Sequence, residues 1–138
     1  ERFGVRNSGA TTVVEGVGDH ACEYMTGGTV VCLGDTGRNF GAGMSGGISF
    51  VFDPDNDLQR NLNHDMVELE RLDDNREIHA LHHLIELHAR LTGSRRAGEI
   101  LSNWDHSLRS FQRVTPKTQP DAPKPVFSLD NPLKQIAL

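Results

Sequence analysis

Five groups of side chains have types and spacings on which chemistry could be built. His79 and His83 stand four apart, the spacing that places two imidazoles on one helix face as zinc ligands, with His82 and His88 close by. No H-E-x-x-H accompanies them, and neither a third ligand nor a general base is evident, so the four read as helix histidines with one core-facing member, His88. Asp19-His20, flanked by Glu15 and Glu23, has the make-up of an acid/base pair. Its place beside Gly18 makes a turn the simpler reading. Asp53, Asp55, Asp57 and Asp65 lie among Asn56, Asn61 and Asn63. Leu58 and His64 occupy the positions where a calcium loop needs glycine and glutamate, which leaves a solvated loop. Thr26 and Ser45 sit at equivalent glycine-flanked corners and read as partners of the backbone rather than nucleophiles. Cys22 and Cys32 are ten apart, which is neither a metal spacing nor a disulfide framework, and they point to a reducing cytoplasm. These readings assign no catalytic, cofactor-binding or metal-ligating residue.

The glycines imitate nucleotide-binding motifs. Gly41-Ala42-Gly43-Met44-Ser45-Gly46 spells G-x-G-x-x-G, but that fingerprint needs a helix after it, and a strand pattern follows instead. After Gly16-Val17-Gly18 there is no room for a crossover helix before the next glycine pair. The run from Gly34 to Gly41 lacks the Gly-Lys-Ser/Thr ending of a P-loop. A different cause orders these residues. Gly9, Gly28 and Gly47 stand 19 apart, Met25-Thr26-Gly27-Gly28 lies over Met44-Ser45-Gly46-Gly47, and the apolar pentads from Ala10, Thr29 and Ile48 align.

A fixed short period implies stacked repeats, and 19 residues are too few for two helices. The sequence therefore predicts a mainly β chain, a parallel β-helix of rungs about 19 residues long with glycine corners. The columns Ala10/Thr29/Ile48, Thr12/Val31/Phe50 and Val14/Leu33/Phe52 should face the interior, because side chains alternate along a strand. Thr11/Val30/Ser49 and Val13/Cys32/Val51 then form an outer surface covered by another domain. A fourth rung is expected one period on, with Val67 and Leu69 under Ile48 and Phe50. Since Asn7-Ser8-Gly9 already occupies a corner, upstream rungs are expected before Glu1, and an open end that allows self-association.

Helical spacing replaces the strand pattern after residue 72. Ile78, Leu81, Leu84, Ile85, His88 and Leu91 form an apolar stripe, Asp73, Asp74 and Glu77 complement the start of a helix, and Thr92-Gly93 ends it. Ser94 suits the N-cap of a second helix carrying Ala97, Ile100, Leu101 and Trp104. The division predicted is residues 1–72 as rungs, 73–104 as two C-terminal α-helices capping the stack, and 105–138 as an extended or disordered tail rich in proline. A net charge of −5 across 138 residues, with basic residues scattered, argues against nucleic acid, and no apolar run approaches a membrane span.

Arg6-Asn7-Ser8-Gly9-Ala10, Val14 to His20, Cys22-Glu23-Tyr24-Met25-Thr26-Gly27-Gly28 and Gly37 to Gly47 closely resemble the glycine-rich C-terminal domain of glutamate synthase large subunits, with further likeness through Met66 to Glu70 and Leu91 to Ser94. The resemblance covers residues 1 to about 114; the tail departs from it. It implies a right-handed β-helix serving as a non-catalytic support in an oxidoreductase of glutamate biosynthesis and ammonia assimilation. Such enzymes make two glutamates from glutamine and 2-oxoglutarate, using FMN, a 3Fe-4S cluster and electrons from NAD(P)H or ferredoxin. The implied partners are the amidotransferase and FMN-barrel domains of the same polypeptide and the enzyme's small subunit. Competing readings are a standalone β-helix interaction module, a domain like that of a formylmethanofuran dehydrogenase subunit, and a small metal-dependent enzyme built on the histidine helix.

Overall fold

The computed structural model describes residues 1–117 and 127. The elements run β1 (Ser8–Val14), β2 (Thr26–Cys32), β3 (Gly46–Phe52), α1 (Leu58–Asn61), β4 (Val67–Arg71), α2 (Asn75–Thr92), α3 (Arg95–Ser102), α4 (Trp104–Leu108) and β5 (Phe111–Pro116). They build one five-stranded mixed sheet in the order β1-β2-β3-β5-β4. This overturns the expected parallel β-helix followed by two capping helices. The 19-residue period survives only as three parallel strands, β1 to β3, and the corners between them.

The stack stops at β3 because β5 takes the next place, pairing antiparallel with β3 on one side and β4 on the other. Val67 and Leu69 accordingly lie opposite Pro116 and Val114, not under Ile48 and Phe50. The register also departs from the period. Val31 pairs with Phe50 as expected, whereas Thr12 pairs with Val30 and Val14 with Cys32. An irregularity between Ser8 and Thr11 absorbs one residue, and a slip of one turns every later side chain of β1 to the opposite face. Thr12 thereby lies beside Val30 rather than in a column with Val31 and Phe50, and its Oγ1 is buried without a hydrogen-bond partner.

Both faces of the sheet are internal, which explains why the strands read as nearly continuous apolar runs. One face, with Val31, Leu33, Ile48, Phe50 and Phe111, packs against Leu81, Leu84 and Ile85 of α2 and against Ala97 and Ile100 of α3. The other, with Val30, Cys32, Val51, Val67 and Val114, packs against the connections through Ala21, Cys22, Met25, Phe40 and Met44. The helices thus cover a face of the sheet and do not close the end of a stack. Burying Leu81, Leu84 and Ile85 contributes roughly 1.5–3 kcal/mol each. Leu101 and Trp104 are only partly buried, and Leu91 is exposed.

The helix ends follow their residues. Asp74 accepts a hydrogen bond from the backbone N–H of Arg76, Gly93 closes α2 at φ 67° with its N–H on the Ala89 carbonyl, and Ser94 accepts from the Ala97 N–H to start α3.

One polar group crosses the helix-covered core. Arg113 of β5, 4% exposed, donates from Nε and Nη2 to Glu77 of α2 and from Nη1 to Glu70 of β4, at 2.9–3.2 Å. Glu77 is itself 2% exposed. Removing one member of such a pair strands a buried charge, at a cost of about 3–5 kcal/mol, whereas apolar replacement of both is far less costly. Arg113→Met should therefore lower the unfolding free energy by about that amount in urea titrations, and Arg113→Met combined with Glu77→Met should recover most of the loss.

Candidate functional site

Beside the Arg113 cluster, two further places among the described residues gather polar side chains. The larger is a cavity of about 660 Å³ lined by the corner Gly34 to Thr36, the end of β3, the Asp53–Asn61 segment and Arg96. Asp53 lies at its wall, 9% exposed. Its Oδ1 accepts from the Asp57 N–H at 2.9 Å and its Oδ2 from the Leu58 N–H at 3.2 Å, so the carboxylate secures the entry to α1. Burial pushes its pKa up, and the Leu58 N–H pulls it down. The segment read as a solvated loop therefore has a buried acid at its root. Arg60 pairs with Asp57, and Arg96 donates to the Leu33 carbonyl at 3.1 Å. Asp53, Asp57, Arg60 and Arg96 are thus engaged with one another and with the backbone, while Asp35 and Asp55 line the recess at its exposed side.

The second gathering links the β1 end to the helices. His88 donates through Nε2 to Glu15 Oε1 at 2.9 Å, and the Ser94 hydroxyl donates to the same oxygen. Serine, histidine and carboxylate are all present, but both donors converge on the acid and no serine–histidine bond is formed, so the hydroxyl has no base to activate it. The arrangement instead ties the strand end to the α2–α3 junction.

The remaining residues weighed from sequence stay apart. His79 and His83 are both exposed, and His82 bonds Glu86 and sets its ring edge-on to Trp104 at 4.9 Å. His20 Nδ1 pairs with Glu23 at 2.7 Å, while Asp19 accepts the Arg38 N–H, so this corner holds itself together. Thr26 Oγ1 reaches the Asn7 carbonyl at 3.4 Å, and the exposed Ser45 continues the same corner through its N–H to the Met25 carbonyl. Among the described residues no three His, Cys, Asp or Glu side chains converge on a common point.

The 3Fe-4S cluster brought by the resemblance does not fit the two buried cysteines. A 3Fe-4S cluster takes thiolates, and burial pushes the Cys22 thiol up to about 11 and raises Cys32 as well. Cys22 Sγ lies 3.4 Å from Ser49 Oγ, and Cys32 Sγ donates to the Gly34 carbonyl. The glycine pattern is likewise used internally. Gly28 adopts φ 83°, and a Cβ there would come within 2.4 Å of the Ala10 carbonyl oxygen. Gly47 repeats φ 83° one strand later. These corners are where neighbouring backbones meet.

Sequence reasoning missed Arg113 and the part played by Glu77, which it assigned to the helix dipole. The available signal was an arginine inside the apolar run Phe111 to Val114.

Three parallel, glycine-cornered strands within a mixed sheet, covered on one face by helices, define the class of domain. The chain belongs to the GXGXG motif family, which is matched over residues 1–117. It is similar to the NADPH glutamate synthase large chain of Bacillus subtilis, at 50% identity over 118 residues, 85% of this chain and 8% of that protein. The NADH glutamate synthase of Schizosaccharomyces pombe is 55% identical over 117 residues, 85% of this chain and 6% of its own length. The chloroplastic ferredoxin-dependent enzyme of Spinacia oleracea is 46% identical over 124 residues, 90% of this chain and 8% of its own length. This chain thus spans less than a tenth of the relatives it matches.

Two outcomes follow from this geometry. Gly28→Ala meets both the left-handed φ and the Ala10 carbonyl, and should destabilise by at least about 2 kcal/mol in urea titration. Glu15 has its pKa lowered, chiefly by the Ser94 hydroxyl and then by His88. A depressed acid stabilises fully above its ordinary value of 4.5 and loses that contribution as pH falls through its folded value. The Tm gap between the wild type and Glu15→Gln should therefore narrow as melts are taken from pH 7 to pH 3.

Proposed function

We propose that this chain is a non-catalytic supporting domain of a glutamate synthase, the oxidoreductase that converts glutamine and 2-oxoglutarate to two glutamates. The observation that carries the reading is the 44–55% identity to NADPH-, NADH- and ferredoxin-dependent glutamate synthases over at least 85% of this chain. Its small share of those proteins suits a part whose chemistry resides elsewhere. The polar groups support the same view, since Glu15, Asp53, Glu77 and Arg113 are all committed to holding elements together.

In this reading the amidotransferase and FMN-barrel domains of the same polypeptide pack against it, with the small subunit as a further neighbour. FMN, the 3Fe-4S cluster and the NAD(P)H or ferredoxin electron supply belong to the parent. A cytoplasmic setting fits the two free, buried thiols. Among the described residues no helix is long and apolar enough to cross a membrane. Tyr24, 60% exposed, and Met66, 42% exposed, are large apolar side chains available to neighbours.

Grafting this chain in place of the matched segment of the Bacillus subtilis large chain tests the reading. The chimera should assemble and form glutamate from glutamine, and the isolated chain should form none. Turnover by the isolated chain, or full activity of a large chain deleted for the segment, would overturn it.

A further inference from the structure

Phe127 lies ten positions beyond the last family-matched residue, yet it is 6% exposed and packed within the helix-covered core. Its ring stands 6.2 Å from that of Phe50 at an interplanar angle of 59°. Its backbone N–H donates to Glu77 Oε1 at 3.0 Å. Glu77 is oriented for this contact by Arg113, whose Nε and Nη2 hold the carboxylate while Nη1 reaches Glu70. An ionised carboxylate has about four lone-pair positions, so Oε1 can serve the guanidinium and an amide together.

Phe50, Glu77, Glu70 and Arg113 all fall inside the family-matched region, and the residue they receive falls outside it. From this division we infer that the α2–β3 seam is a recognition site for an aromatic residue, and that this chain's own Phe127 is its resident occupant. Two features set its selectivity. The contact with Phe50 takes an aromatic ring, and Glu77 demands a backbone N–H on the same residue, which excludes proline. The inference goes beyond the supporting role and does not require a particular parent enzyme.

The test uses the full 138-residue chain and amide hydrogen exchange. Phe127→Ala should speed exchange of α2 and β3 amides by roughly 10- to 100-fold, while β1 amides hold their rates. Phe127→Leu should show a smaller acceleration at the same amides. Adding a peptide of residues 122–132 to the Phe127→Ala protein should restore α2 protection, and the same peptide with alanine for the phenylalanine should not. Unchanged exchange in Phe127→Ala, equal acceleration of every amide, or equal rescue by both peptides would overturn the site. Protection of α2 in the unmodified chain that fades on dilution would assign the occupant to a second copy and overturn the intrachain assignment.

Discussion

Each parallel return between β1, β2 and β3 is made in about a dozen residues without a helix, and the rest of the architecture follows from that constraint. Connections this short must hug one face of the sheet. They do so by turning at left-handed corners: Gly4, Cys22 and Gly41 share positive φ at successive levels, as do Arg6, Tyr24 and Gly43. Backbone groups at one level satisfy those at the next, as when Cys22 N–H donates to Phe3 O and Gly41 N–H to Ala21 O. With one face covered by these connections, only the other is free to receive the helices. Its charge-bearing seam is closed by Arg113, which joins β5, β4 and α2 at a single guanidinium.

The parts of this fold legible from sequence were those governed by local rules. Asp74, Gly93 and Ser94 stand at helix ends because caps depend on residues a few positions away. The strand centres of β2 and β3 followed from their period. The placement of β1 failed on one residue, because an irregularity at a glycine corner leaves the sequence spacing unchanged while it turns the strand over. The solenoid failed because nothing in the pattern of β3 tells whether the next neighbour runs parallel from Val67 or antiparallel from Phe111. That choice is decided by long-range partners, above all the match of Arg113 to Glu77 across 36 positions.

The same distinction governs the site. Residues that imitate catalytic sets, such as His79 with His83 or Asp53 with Asp55 and Asp57, were weighed on ligands and spacing alone, and nothing in that spacing signals that Asp53 is buried against the start of α1. Glu15, His88 and Ser94 come together only in three dimensions, and their geometry turns a familiar trio into a brace. Family membership and the engagement of these polar groups both support the proposed supporting role, and at Gly28 the glycine-rich signature meets neighbouring backbone.

Placing β5 between β3 and β4 has a consequence for synthesis at the ribosome. The strand that completes the middle of the sheet is made after both of its neighbours, so β3 and β4 emerge with facing edges that have nothing to pair with. Until Phe111 to Pro116 has cleared the exit tunnel, the nascent chain holds two unsatisfied ladders and an unneutralised Glu77. Closure therefore waits on the last of the five strands, a single hexapeptide that joins β3 to β4.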